Sequence, residues 1–201
     1  MDIVCLDLEG VLVPEIWIEF AEKTKIPELR LTTRDISDYN KLMNYRMDIL
    51  DKHGYKLKDI QDVIATMEPL EGAKEFLEEL RSLTQVVILS DTFKEFASPL
   101  MKKLSWPTIL CNELVIDETG RMAGIKMRQE DGKFKAIRAF KGMGFRTFAA
   151  GDSYNDLHMI HEADGGCLFR APENILKEEP DLKLATTYEE FLNNIKAFLK
   201  S

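Results

Sequence analysis

Ile3-Val4-Cys5-Leu6-Asp7-Leu8-Glu9-Gly10-Val11 decides the fold, because four apolar residues run without interruption into an acidic, glycine-containing turn. An unbroken apolar run of this length reads as a strand buried on both faces, the kind found inside parallel sheets. Similar runs recur at Val86 to Leu89, Thr108 to Cys111, Thr147 to Ala150 and Gly166 to Phe169. Segments of helical period separate them: Ala73, Phe76, Leu77 and Leu80 mark one apolar stripe, and Phe191, Leu192, Ile195 and Leu199 mark another in a C-terminal packing helix. This alternation predicts an α/β fold with a doubly wound, mostly parallel, Rossmann-like sheet. Between Glu113 and Arg128 the pattern changes to Leu114-Val115-Ile116 and Met122 to Met127 about a turn at Gly120, which predicts a small antiparallel hairpin.

From Pro14 to Met67 there are several helical patterns and no convincing strand. The economical explanation is a helical cap, residues 14–69, inserted into an α/β core made of residues 1–13 and 70–201. Its hinges fall at Val13-Pro14 and at Pro69-Leu70-Glu71-Gly72, where proline and glycine punctuate the chain.

The chain has 201 residues, 45% of them hydrophobic, enough for a sizeable core. Its 27 basic and 35 acidic residues give a net charge of −8 and are interspersed, which argues against a nucleic-acid partner, since that needs a clustered basic surface. No apolar run approaches a membrane span, and Met1-Asp2-Ile3-Val4 lacks the basic start of a signal peptide, so a cytoplasmic protein is expected. Cys5, Cys111 and Cys167 form an odd set without CxxC spacing, so neither a disulfide framework nor a structural zinc site is expected.

Ligands of open α/β sheets bind outside the carboxyl ends of the strands. Three such ends carry polar groups suited to phosphate chemistry: Asp7-Leu8-Glu9-Gly10-Val11, Ser90-Asp91-Thr92, and Gly151-Asp152-Ser153-Tyr154-Asn155-Asp156. Asp7 beside Asp152 at neighbouring buried strand ends calls for a cation or a proton, and Mg²⁺, which prefers hard oxygen ligands, fits best. The plainer reading is that these aspartates cap the turns that follow them. Thr92-Phe93-Lys94-Glu95 reads as a capping box, whose helix would present free amides to a phosphate beside Ser90.

With those three motifs and a lysine upstream of the Thr147 strand, the sequence resembles the haloacid-dehalogenase-type phosphatases over essentially its whole length. Asp7 to Trp17 together with Ser90-Asp91-Thr92-Phe93 resembles the phosphoserine phosphatase branch, and within it the bifunctional enzymes that also phosphorylate homoserine. The resemblance implies Asp7 as the nucleophile that forms an aspartyl-phosphate. It implies Mg²⁺ held by Asp7, the Glu9 main-chain carbonyl and Asp152, with Asp156 near the metal shell through water. Ser90, Asp91 and Asn155 are expected to contact the substrate and the nucleophile. Of Lys133, Lys135 and Lys141, the choice is Lys133, because Ala136, Ile137 and Phe140 follow at three, four and seven residues, as in the family's lysine-led helix; Lys135 is the alternative.

Glu9 departs from the family's usual aspartate two residues after the nucleophile. Its implied role is general acid and base, and one extra methylene displaces its carboxyl by about 1 to 1.5 Å. Arg46 stands in an apolar stripe with Met43, Met47 and Leu50 and so needs an anion or a route to water. The resemblance gives it the substrate carboxylate, and Glu15 could pair with the substrate ammonium or simply complement a helix dipole. One anion site and one cation site bracketing a phosphate describe O-phospho-L-serine, with L-homoserine as a second acceptor. A homodimer is compatible with that reading. Another small phosphate ester, or a regulatory phosphoacceptor that turns over little, remain the alternatives. His158 and His161 stand three apart and are expected at the surface without a metal.

Overall fold

A computed structural model describes residues 1–32, 35–36 and 38–201; residues 33, 34 and 37 of the expected helical stretch lie outside it. Strand β1 (Asp2–Leu6) leads through a tight loop into helices α1 (Ile16–Thr24), α2 (Tyr39–Lys52) and α3 (Leu57–Ala65). Then come α4 (Ala73–Leu83), β2 (Gln85–Phe93), α5 (Lys94–Lys103), β3 (Ile109–Ile116) and β4 (Met122–Lys126). The rest alternates: α6 (Gly132–Gly142), β5 (Arg146–Gly151), α7 (Leu157–Glu162), β6 (Gly165–Phe169), α8 (Glu173–Glu178), β7 (Lys183–Ala185) and α9 (Tyr188–Lys200). The seven strands form one sheet in the order β4-β3-β2-β1-β5-β6-β7, parallel except for the β3–β4 pair.

Side-chain alternation along β1 explains the two layers. Val4 and Leu6 join a core with α4, α5, α9 and the α1–α3 stretch, whereas Ile3 and Cys5 face α6, α7 and α8. All the residues of the stripe read at Ala73, Phe76, Leu77 and Leu80 are buried, and Phe76 stacks on Tyr188 and Phe191 at centroid separations of 5.0 and 4.8 Å. From β1 the chain steps to β2 and β3 on one side and then returns to β5 on the other. The order therefore reverses between β1 and β5, where their carboxyl ends open a crevice. The two connections to the helical stretch cross side by side, the Leu70 amide donating to the Leu12 carbonyl at 3.0 Å.

Two local expectations change, and one further strand appears. The runs read at 108–111 and 114–116 belong to one strand, Ile109–Ile116: its first half pairs parallel with β2 (Leu89 with Leu110) and its second half antiparallel with β4 (Leu114 with Ile125). Asn112 and Glu113 interrupt the apolar run, but a ladder is made by the backbone and is indifferent to that interruption. The capping box does not form. β2 continues through Thr92 to Phe93, α5 starts at Lys94 without a side-chain cap, and Glu95 instead accepts from the Leu114 amide at 2.9 Å. The amide drawn to Ser90 is that of Thr92, which donates to its hydroxyl at 3.2 Å. The edge strand β7 has three residues, two of them exposed, too short for an apolar run to announce.

Candidate active site

Asp7 follows the last residue of β1, and its amide still donates to the Ala150 carbonyl of β5 at 3.0 Å, so the sheet itself holds it at the reversal point. The loop then turns back: Gly10 donates to the Val13 carbonyl at 2.8 Å, and the Leu12 and Val13 amides both donate to Leu8. Gly10 has φ of 75°, and a Cβ there would overlap the Asp152 carboxylate. Glycine thus serves twice, for the left-handed turn and for the close approach of the two motifs. Gly151 acts similarly, since a Cβ on it would overlap the Asp156 side chain.

Lys133, in the first turn of α6, is 4% exposed and is the meeting point of the three motifs. Its ammonium lies 2.9 Å from Asp7 Oδ1, 2.8 Å from Asp156 Oδ1 and 3.7 Å from Asp91 Oδ2. Of the alternatives, Lys135 is exposed, and Lys141 donates to the Glu162 carbonyl at 2.7 Å. Asp156 has no exposed surface; its second oxygen accepts from the Asp152 and Ser153 amides, both at 3.1 Å, and from the Ser153 hydroxyl at 3.2 Å. With its oxygens taken up by protein donors, Asp156 anchors Lys133 and the loop after β5.

Ser90 is buried at the bend of β2, and its neighbour Asp91 ties the motifs together. The Asp91 carboxylate accepts from the Asn155 amide group at 3.0 Å; its carbonyl accepts from Tyr39 at 3.1 Å and from Asn112 at 3.0 Å. Asn112 also accepts from the Arg128 amide at 3.0 Å, which fixes where the chain leaves the hairpin toward α6. Tyr39 and Asn112 were not among the expected site residues. Buried asparagine inside an apolar strand is the signal that could have found the second; nothing in the sequence points to Tyr39.

On the side of the helical stretch, the Glu9 carboxylate accepts from the Ile16 amide at 2.9 Å, satisfying a free donor at the start of α1. Glu15 precedes α1 as its N-cap and is exposed. Arg46, 6% exposed, donates to the Leu31 carbonyl at 2.7 Å and to the Met43 sulfur at 3.8 Å, while its Nε is buried without a hydrogen bond. Its guanidinium carbon lies 4.4 Å from the centroid of the Trp17 ring.

Burial and the neighbouring Asp156 hold the Asp7 carboxyl well above the usual carboxylate range, against the opposing pull of Lys133. Burial, Asp156 and Glu15 push Asp152 up to about 7. Burial and then the charge of Glu15 push Glu9 up to about 8. Burial alone would lower Lys133, but Asp156 and Asp7 outweigh it and raise its pKa well above the ordinary value. Burial lowers Arg46 to about 10. Oxygens of Asp7, Asp152 and Asp156 lie within 4.8 Å of one another, a cluster of hard oxygen donors suited to a divalent cation. His158 and His161 face Asp131 and Glu179 at 3.2 and 3.1 Å on the surface, away from that cluster.

A sequence model of haloacid dehalogenase-like hydrolases matches residues 1–164. The phosphoserine phosphatase ThrH of Pseudomonas aeruginosa is 57% identical over 201 residues, spanning 100% of this chain and 97% of that protein. A phosphoserine phosphatase of Pseudomonas syringae pv. tomato is 56% identical, over 100% of this chain and 84% of its own length. Among solved structures, a phosphoserine phosphatase in apo form superposes with a TM-score of 0.76 at 22% identity, covering 96% of this chain and 98% of its own. At that identity the structure speaks for the fold alone. Among the described residues, no helix is long and apolar enough to cross a membrane.

Proposed function

Because the chain belongs to the haloacid dehalogenase-like hydrolases, we propose that it is a Mg²⁺-dependent phosphoserine phosphatase working through an aspartyl-phosphate, and that L-homoserine can replace water as acceptor. The observation that carries this reading is the buried contact of Lys133 with Asp7 at the sheet's reversal point, a nucleophile and a phosphate-binding cation in one place. The full-length likeness to two phosphoserine phosphatases supports the choice of substrate. Residues 14–69 act as the cap that carries Arg46 over the site.

Asp7, Asp152 and the Glu9 carbonyl would hold Mg²⁺, with Asp156 near the metal shell, and the cation would supply charge to offset the repulsion between carboxylate and phosphate dianion. Lys133, Ser90 and Asn155 orient the phosphoryl oxygens, and Asp91 holds Asn155 in turn. A carboxylate oxygen of Asp7 attacks phosphorus as the bond from phosphorus to the serine oxygen breaks. The Glu9 carboxyl, protonated near neutrality by its surroundings, gives its proton to that oxygen and serine departs. In the second half, Glu9 takes a proton from water, the water oxygen attacks phosphorus, and the bond to Asp7 breaks to release phosphate. A homoserine hydroxyl can take the place of that water. Arg46 receives the amino-acid carboxylate and Glu15 the ammonium.

The test is to incubate the protein with phosphoserine and Mg²⁺, with and without homoserine, and measure free phosphate and phosphohomoserine together. Phosphate release is expected in both, falling as phosphohomoserine appears; no release from phosphoserine would refute the assignment. Glu9→Asp is expected to shift the ratio of hydrolysis to transfer, since the acid and base group then withdraws by about one methylene. An unchanged ratio would show that the length of this side chain does not select the acceptor.

The acidic cluster also predicts a pH-dependent stability. Folding raises Asp7, Asp152 and Glu9 above their unfolded values, so between about pH 4 and the raised values the folded state holds protons the unfolded chain has lost. Stability is therefore full below about pH 4 as far as these groups are concerned, and is lost as pH rises through 7 to 8. In EDTA, Tm is expected to fall by about 5 °C between pH 5.5 and pH 8.5, and Mg²⁺ to restore most of that at the higher pH. Differential scanning fluorimetry giving parallel curves with and without Mg²⁺ would contradict a cation at this cluster.

A further inference from the structure

We infer that Trp17 is the positioning residue that makes Arg46 a carboxylate receptor, and so sets the preference for amino-acid phosphate esters. Arg46 is nearly sealed from water, yet among the described residues no carboxylate pairs with it directly, Glu9 and Glu15 acting on its charge from a greater distance. A buried guanidinium without a directly paired anion is costly and is tolerated where its surroundings offset its charge. In contact with Arg46 are the Leu31 carbonyl at 2.7 Å, the Met43 sulfur at 3.8 Å and the Trp17 ring face at 4.4 Å. An indole face attracts a cation through its quadrupole and accepts none of its N–H groups in the manner of a carboxylate. The ring that keeps Arg46 in place takes none of its hydrogen bonds: one terminal nitrogen donates to Leu31, the other makes only the long contact to the Met43 sulfur, and the buried Nε has no acceptor, so an incoming anion has donors to claim. A carboxylate paired directly with Arg46 would have stabilised the cation and competed with the ligand for its donors.

The ring is itself fixed. Trp17 meets Phe96 edge-on at 5.5 Å and 72°, and Phe20 at 6.4 Å and 78°. It sits one residue after Ile16, whose amide is held by Glu9, so the aromatic wall and the acid and base group share the first turn of α1. A planar guanidinium held against this wall can meet a carboxylate with two donors once the weak Met43 contact gives way.

Resting on the phosphoserine reading above, this is tested by comparing phosphoserine with phosphoethanolamine, which has the same phosphate and ammonium and lacks the carboxylate. The readout is the ratio of their kcat/KM values in wild type, Trp17→Phe and Trp17→Leu. The ratio is expected to fall about tenfold in Trp17→Leu, through KM for phosphoserine, and about threefold in Trp17→Phe, which keeps a ring of weaker attraction. Because the ratio is internal to each preparation, a partly misfolded variant changes both values together and leaves it readable. A ratio unchanged in both variants, or equal losses on both esters, overturns the role of Trp17 and leaves the phosphoserine reading standing. If instead the wild-type enzyme handles the two esters equally, amino-acid recognition itself falls, and the role of Trp17 with it.

Discussion

Asp7→Asn is expected to lower kcat for phosphoserine by about 10⁴-fold or more while the protein keeps its fold. Asparagine has nearly the shape of aspartate and its carbonyl can still accept from Lys133, so packing at the end of β1 is preserved. What disappears is the nucleophile of the proposed reaction. One negative charge also leaves a cluster in which Asp7 and Asp152 are already held above their ordinary pKa values, so the substitution relieves repulsion in the metal-free protein. Acid-quench experiments with ³²P-labelled substrate should trap a phosphorylated protein in wild type and none in the variant. A variant that retains kcat within tenfold of wild type would exclude attack by Asp7.

Lys133→Met is expected to damage both activity and stability. Loss of one preorganised cation from the phosphoryl site corresponds to about 10²- to 10³-fold in kcat. Stability suffers because Asp156, with no exposed surface, loses its 2.8 Å cationic partner while its charge stays buried, a change that costs about 3–5 kcal/mol. The destabilisation should shrink as pH falls, since Asp7, once protonated, no longer needs the ammonium. Urea denaturation at pH 5.5 and pH 8 reads this directly. Lys135→Met, two residues on and exposed, is expected to stay within about 0.5 kcal/mol of wild type. If the two lysine variants behaved alike, Lys133 would not be the centre of the cluster.

The strand ends were legible because burial on both faces forces continuous apolar runs, and the chemistry gathers where such runs stop. Asp7, Ser90 and Asp152 could be placed at neighbouring carboxyl ends from that rule, and Lys133 could be preferred over Lys135 from the apolar spacing behind it. What misled the sequence reading was local polarity. Asn112 and Glu113 split β3 in two on paper, and Thr92 to Glu95 spelled a helix cap that the sheet overrode by extending β2 to Phe93. In both places a side chain that seemed to end an element is used elsewhere: Asn112 holds the Asp91 carbonyl, and Glu95 holds the Leu114 amide.

The sequence by itself determined the alternation of strands and helices, the hairpin, the helical stretch after β1 and the set of acidic residues facing a common crevice, because these follow from apolar periodicity and the residues that interrupt it. Only the tertiary structure decided how those residues pair. It made Asp156 a buried anchor of Lys133, brought Tyr39 onto the Asp91 carbonyl across 52 residues of chain, and laid Arg46 over Trp17 with its Nε unclaimed. Periodicity says which face of an element is buried; which polar groups are left without a partner depends on contacts between elements far apart in sequence.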